Sequence, residues 1–161
     1  MINIPKSKKN ENRFTANVSD FSSFPNYLGS YKESFDVLIK EVLEKKSHVD
    51  YLSYPILFLA RHCIELGLKT NIYYFSNYSK KNDCLNAGHN LETLFECFKT
   101  HIEGTFENFK TNYNFIVEKR DKDFFYKRYN EIKKLNTLFH HIDKYSIAFR
   151  YPLDLNDIEL A

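Results

Sequence analysis

Apolar residues recur at steps of three and four along most of this chain, which is the spacing of helices that bury one face. The first run predicts a helix over about 28–46, and a polar, punctuated stretch precedes it. Its apolar face consists of Leu28, Tyr31, Phe35, Leu38, Ile39, Val42 and Leu43. A second helix is predicted to open at Ser53-Tyr54-Pro55, because proline suits a first helical turn, and to extend to about Ser76.

Three further helices are predicted in the second half of the chain. Asn90 can cap a third helix that ends at Gly104. A fourth is expected from about Thr105 to Glu118, and a fifth from about Asp123 to Ile142, with Phe124, Phe125, Ile132, Leu135, Phe139 and Ile142 facing inward. Because no stretch alternates long enough to indicate a sheet, we predict an all-α fold, a single bundle of about five helices.

The 161 residues correspond to about one domain. We interpret residues 1–25 as a flexible N-terminal arm and residues 26–161 as a single helical domain. With 12 Tyr, 15 Phe and only 4 Gly and 4 Pro, the composition excludes disordered and collagen-like classes. The net charge of +2 excludes binding to nucleic acid through a strong overall field alone.

The longest apolar run, 55–60, is far shorter than the roughly 20 residues that span a bilayer, and no apolar stretch follows the basic N-terminus. We therefore expect a soluble, cytoplasmic protein without membrane contact. The three cysteines, Cys63, Cys84 and Cys97, are odd in number and lack CxxC spacing. This pattern favours reduced thiols in a cytosol over a disulfide framework or a zinc site, and we expect the thiols to act as small buried hydrophobes.

The second predicted helix is apolar nearly all round except for one polar stripe. At 100° per residue, Arg61, His62, Glu65 and Lys69 fall within an arc of about 100°, little more than one quarter of its circumference. Burying these ions costs several kcal/mol each unless they pair or face water. Two interpretations remain open: an ion network through the four-residue neighbours, or a polar cleft in which His62 exchanges protons while Arg61 and Lys69 hold an anion such as phosphate.

Two residues outside the stripe are candidates for the same site. His89 precedes the third helix, where it either bonds free backbone amides or joins the cleft. Arg150 lies in a segment followed by Pro152 that can turn its guanidinium back onto the bundle. No metal site is predicted, because His140 and His141 point about 100° apart and His62-x-x-Glu65 occurs once, in the reverse order of di-iron bundles.

The stretch from Tyr54 to Lys69 resembles the helix YPxLFLxRHxxELxLK of a group of HEPN-like bacterial proteins. Residues 88–94, Gly-His-Asn-Leu-Glu-Thr-Leu, and residues 143–154, centred on Phe-Arg-Tyr-Pro, are similar to the same group. The resemblance implies a helical bundle, commonly dimeric, in a group with many metal-independent ribonucleases of phage defence and toxin–antitoxin systems. Their usual Arg followed after four to six residues by His is absent from this sequence.

Two functions follow as hypotheses. In the first, the chain is an HEPN-like ribonuclease or toxin-type effector without a cofactor, in which Arg61, His62 and Glu65 are catalytic and Lys69, His89 and Arg150 bind the substrate. In the second, it is a non-catalytic HEPN-like module that binds a partner protein or a nucleotide-type anion. In either case the resemblance implies a homodimer. It also implies a partner, which is RNA or a nucleotide, or an antitoxin or defence-system protein.

Overall fold

The computed structural model describes residues 23–45, 49–82, 84 and 88–142. Four helices account for most of them: α1 (Phe24–Lys45), α2 (Val49–Ser79), α3 (Leu91–Tyr113) and α4 (Lys119–Ile142). These residues contain no strand, so the predicted all-α fold is confirmed, with four helices in place of about five. None of the four combines the length and apolar character that crossing a bilayer requires.

The first helix begins slightly before its predicted start. α1 opens at Phe24, the Tyr27 amide donates to the Ser23 carbonyl at 3.1 Å, and Pro25 lies in the first turn, where its missing N–H costs little. Residues 24 and 25, which were predicted to belong to the arm, are therefore helical, and residues 1–22 lie outside the described part of the chain. Six of the seven residues on the predicted apolar face of α1 are half-buried, whereas Leu43 is 70% exposed, and no residue of this helix is fully buried.

The second helix is longer than predicted at its N-terminal end. α2 begins at Val49, so Pro55 stands inside the helix and removes one backbone hydrogen bond without ending it. Packing of α2 against both α1 and α3 outweighs that loss. The helix ends at Ser79, and Lys80 turns the chain with a φ of 56°.

The third and fourth predicted helices are one continuous helix, so the prediction that Gly104 ends a helix is wrong. α3 passes through Gly104 and ends at Tyr113, followed by Asn114 with a φ of 49°. A Cβ on Gly104 would lie 3.1 Å from the Ser79 Cβ and carbonyl oxygen. Gly104 therefore lets α3 approach the end of α2 closely, and this contact overrides its low helix propensity. The predicted cap is confirmed, since the Asn90 side chain accepts the Thr93 amide at 3.0 Å.

The helices pack in chain order, with α2 and α3 at the centre, α1 against α2 and α4 against α3. Their apolar core lies mainly between α2 and α3 and reaches α4 through Tyr129. Its buried residues are Leu68, Ile72, Leu91, Leu94, Phe95, Cys97 and Tyr129. The ring of Phe95 stacks on that of Tyr129 with centroids 4.6 Å apart, which fixes α4 on α3.

The fifth predicted helix corresponds to α4, but its buried face differs from the prediction. α4 begins at Lys119, between the predicted end of the fourth helix at about Glu118 and the predicted start of the fifth at about Asp123. Its packed side carries Phe125, Tyr129 and Phe139. The four other predicted core residues are exposed: Phe124, Ile132, Leu135 and Ile142. Apolar residues cover more of this helix than α3 alone can bury, so periodicity did not identify the packed side.

The prediction of three reduced cysteines is wrong for two of them. A disulfide joins Cys84, in the segment after α2, to Cys97 in α3, while Cys63 is free. The expected burial holds for Cys97, which belongs to the core, whereas Cys63 and Cys84 are half-buried. The sequence separation of 13 gave no indication of this pairing, because the turn after α2 brings the two residues together.

Candidate functional site

Two members of the polar stripe on α2 are buried completely. Arg61 is 0% exposed and Glu65 is 1% exposed, and Arg61 Nη1 donates to Glu65 Oε2 at 3.2 Å. One turn further along, Lys69 Nζ donates to Glu65 Oε1 at 2.8 Å. Both predicted four-residue ion pairs are therefore confirmed, and they share one carboxylate.

His89 reaches the same carboxylate from the segment before α3. Arg61 Nη2 donates to the His89 carbonyl at 2.7 Å, and His89 Nδ1 lies 2.8 Å from Glu65 Oε1. Because a carboxylate only accepts hydrogen bonds, Nδ1 is the donor. Gly88, with a φ of 67°, and the cap residue Asn90 set the path of the backbone on either side. We call Arg61, Glu65, Lys69 and His89 the Glu65 network.

The Glu65 network combines a buried charge with one exposed end. Burial alone would raise the pKa of the Glu65 carboxyl, but hydrogen bonds from Lys69 and His89 outweigh it and hold that pKa below its ordinary value. Glu65 is thus ionised at neutral pH. The Lys69 side chain is only 13% exposed, whereas the His89 side chain is 55% exposed. The second ring nitrogen of His89, Nε2, is therefore the atom of the Glu65 network that is best placed to meet a ligand.

His62 lies beside the network, and its described contacts are aromatic. Its ring stands edge-on to Tyr31 of α1 with centroids 4.4 Å apart and stacks on Phe58 at 5.5 Å. Burial lowers the pKa of His62, which keeps this imidazole neutral near pH 7. These contacts give His62 a place in the packing of α1 on α2.

The structure therefore brings together four of the six predicted site residues. Arg61, Glu65, Lys69 and His89 are joined by hydrogen bonds, while His62 turns towards α1. Arg150 lies outside the described residues. Of the two earlier interpretations, the ion network describes the buried part, and only His89 gives the network an exposed surface.

A second polar cluster escaped the sequence analysis. Ser79 Oγ lies 2.7 Å from His101 Nδ1, both side chains are buried, and His101 adjoins the Cys84–Cys97 disulfide. We call Ser79, Cys84, Cys97 and His101 the Cys84 cluster. The sequence contains one indication of the Cys84 cluster: the spacing Cys97-x-x-x-His101 places two side chains that can bind metals on one face of a helix.

A cavity of about 380 Å³ between α3 and α4 also lies outside the predicted site. Asn136 is buried at its wall, and its Oδ1 has no hydrogen-bond partner among the described residues. The other lining residues are Glu92, Phe95, Glu96, Lys133, Thr137, His140 and His141. Periodicity did not indicate it, because the cavity depends on how two helices pack.

The Glu65 network and the Cys84 cluster are two places where polar side chains of α2, α3 and the segment between them converge. Neither can be assigned by similarity, since no family model, no curated protein and no solved structure matches this chain.

Proposed function

We propose that this chain is an HEPN-like, metal-independent ribonuclease of the toxin type, in which the imidazole of His89 transfers protons. One observation carries the proposal: Glu65 Oε1 accepts from His89 Nδ1 at 2.8 Å while the His89 side chain is 55% exposed. A carboxylate on one ring nitrogen fixes the tautomer in which the other nitrogen accepts a proton. His89 thus takes the catalytic role that the sequence analysis gave to His62.

The remaining members of the Glu65 network act as positioning residues. Arg61 holds both the Glu65 carboxylate and the His89 carbonyl, and its complete burial keeps it away from substrate. With His89 neutral, Arg61, Lys69 and Glu65 sum to one positive charge. That charge favours a phosphodiester beside His89, and Lys69 is the cation nearest to solvent.

Cleavage of RNA without a metal requires removal of a proton from the ribose 2′-hydroxyl. His89 Nε2 takes that proton as the 2′-oxygen attacks the adjacent phosphorus, and the 5′-oxygen leaves with a proton from water. The product is a 2′,3′-cyclic phosphate and a free 5′-hydroxyl. The Glu65 carboxylate stabilises the imidazolium that forms, because it already accepts from Nδ1.

The test is cleavage of a labelled single-stranded RNA by His89→Gln, with His141→Gln as matched control, since His141 is an exposed histidine of α4. General acid–base catalysis contributes roughly 10²–10⁴-fold, so His89→Gln should lose at least about 100-fold in rate while His141→Gln keeps the wild-type rate. Circular dichroism checks that both variants fold. Equal cleavage by wild type and His89→Gln would remove the proposed role of His89.

The resemblance also implies a cytoplasmic homodimer and an antitoxin or defence-system partner. In support of self-association, α1 contributes no fully buried residue, and its exposed side chains include Val37 and Leu43, the latter 70% exposed. We expect Leu43→Glu to lower the dimer fraction in analytical ultracentrifugation. A wild-type chain that sediments as a monomer at all concentrations would contradict the homodimer.

The second candidate function is a non-catalytic HEPN-like module that binds a partner protein or a nucleotide-type anion. Two observations favour it: the usual Arg-to-His spacing is absent, and Arg61 is occupied by buried partners. On this hypothesis the purified protein is inert on RNA, and a nucleotide raises its melting temperature. Lys69→Met should then abolish the shift, whereas Lys99→Met should keep it, because Lys99 lies over the Tyr129 ring of α4 and does not belong to the Glu65 network.

A further inference from the structure

We propose that Cys84, Cys97 and His101 form a zinc site in the reduced protein. Each offers one ligand atom, and the three atoms lie within 4.8 Å of one another. Ligands at 2.0–2.3 Å around a tetrahedral Zn²⁺ are separated by roughly 3.5–4 Å, so only small side-chain movements are needed. The inference concerns a site separate from the Glu65 network and does not depend on the proposed ribonuclease activity.

Helix α3 positions two of the three proposed ligands close together. Cys97 and His101 are one turn apart on α3, so their side chains share a face, and both are buried. Cys84 comes from the segment after α2 and is half-buried, so it is the ligand that lies nearest to solvent. Metal therefore reaches the site from the side of Cys84.

Ser79 supplies the hydrogen bond that a metal-binding histidine requires. Such histidines donate their other ring N–H to a polar group, which fixes the ring and its tautomer. Ser79 Oγ, buried at the end of α2, lies 2.7 Å from His101 Nδ1 and also accepts the Lys81 amide at 3.2 Å. With Nδ1–H donating to Ser79, Nε2 carries the lone pair that binds the metal.

The donor set selects the metal. Two thiolates and one imidazole suit Zn²⁺, which is four-coordinate with sulfur and nitrogen ligands, and a water completes three protein ligands. The metal joins the segment after α2 to α3, and its fourth position, held by water, stays open to exchange. The proposed cleavage of RNA at the Glu65 network uses no metal.

Disulfide and zinc are alternative states of the same pair of cysteines. The structure contains the Cys84–Cys97 disulfide. A dithiol reductant breaks this S–S bond by exchange, becomes oxidised to its own disulfide, and leaves two thiols with the two protons that it gave up. Zinc binding then releases those two protons to solvent as the thiolates form. The site is therefore expected only after reduction.

The experiment uses Co²⁺ as a spectroscopic probe on the full chain, reduced with a dithiol and desalted without oxygen. Tetrahedral Co²⁺ bound by thiolates shows intense visible bands and a near-ultraviolet charge-transfer band. We expect about one Co²⁺ per chain with both features, displaced by Zn²⁺, and no such bands in the oxidised protein. Octahedral Co²⁺ bands only, or equal binding after oxidation, would overturn the proposal.

Variants separate this site from adventitious binding to thiols. Cys84→Ser should lose the tetrahedral bands, whereas Cys63→Ser, at the free cysteine, should keep them. Cys84 is the ligand chosen for substitution because its half-buried position is the most compatible with folding. Ser79→Ala should weaken Zn²⁺ binding by about 10–100-fold, as loss of such a hydrogen bond does elsewhere. Loss of the bands in Cys63→Ser, or their retention in Cys84→Ser, would contradict the assignment. RNA cleavage is measured separately and decides the other proposal.

Discussion

The Glu65 network and the Cys84 cluster occupy the same interface between α2 and α3 and are built on opposite principles. In the first, a buried carboxylate is compensated by Arg61, Lys69 and His89. In the second, a disulfide, an imidazole and a hydroxyl pack with no carboxylate among them. Arg61 and Ser79 are 18 residues apart on α2, about 27 Å along the helix at 1.5 Å per residue.

This difference determines which changes destabilise each region. Every charge in the Glu65 network depends on the others, because a buried ion that loses its partner keeps its full desolvation penalty. The Cys84 cluster depends instead on covalent linkage and close approach, since Gly104 allows Ser79 to lie against α3. The first region is thus sensitive to charge, and the second to redox state and volume.

The largest effect should follow the loss of the shared carboxylate. Glu65→Gln removes the buried negative charge that Arg61 and Lys69 share, and we expect the free energy of unfolding to fall by about 3–5 kcal/mol in urea denaturation. Glu96→Gln is the control, since its side chain is 49% exposed and the Gln oxygen can still accept from Lys133 and from the buried Tyr129. It should cost less than about 1 kcal/mol. Equal losses would show that burial does not govern the network.

The Cys84 cluster should respond next, under oxidising conditions without metal. Cys84→Ser opens a loop whose ends are 13 residues apart, and we expect a loss of about 3 kcal/mol in the free energy of unfolding. Cys63→Ser should change it by less than about 1 kcal/mol, because Cys63 is free. Addition of a dithiol should lower wild type to the level of Cys84→Ser. A wild-type protein unaffected by the reductant would contradict the role of this disulfide.

Two glycines of the central helices allow the close packing of α3 against Ser79 to be tested separately from helix propensity. A Cβ at Gly67 meets nothing within 4 Å, whereas one at Gly104 meets Ser79 at 3.1 Å. Both alanine variants gain helix propensity, so Gly104→Ala should be less stable than Gly67→Ala by the overpacking cost alone, about 1–3 kcal/mol. Thermal and urea unfolding measure the difference. Equal stability would mean that α3 can move away from Ser79.

The smallest expected effect is the pH dependence contributed by His62. Burial lowers its folded pKa below the ordinary value of 6.5, so the folded state prefers the neutral ring. The contribution of neutral His62 to the free energy of unfolding is complete above about pH 6.5. It falls as the pH drops from 6.5 towards the lowered pKa of His62 in the folded protein. His62→Phe should keep the ring contacts with Tyr31 and Phe58 and flatten the stability profile between about pH 7.5 and 5.5. An unchanged slope would place the titrating group elsewhere.

Some parts of the fold and the site could be predicted because their cause is local. The caps and the i,i+4 pairs depend on neighbours in one helix, so Asn90, Arg61–Glu65 and Glu65–Lys69 were each predicted correctly. The break at Gly104 was predicted wrongly, because propensity favours an end there and only the contact with Ser79 explains the continuous helix. His89 was a candidate, but its bond to Glu65 joins residues 24 apart.

The sequence by itself determined that this chain is helical, which helix carries buried charge, and which of those charges pair, since a period of 3.6 residues fixes neighbours within a helix. Tertiary structure decided which side of α4 is packed, that Cys84 meets Cys97 and His101, and that His89 is the exposed end of the Glu65 network. The physical reason is that these contacts join separate segments. Their formation depends on the packing of whole helices, which no local period encodes.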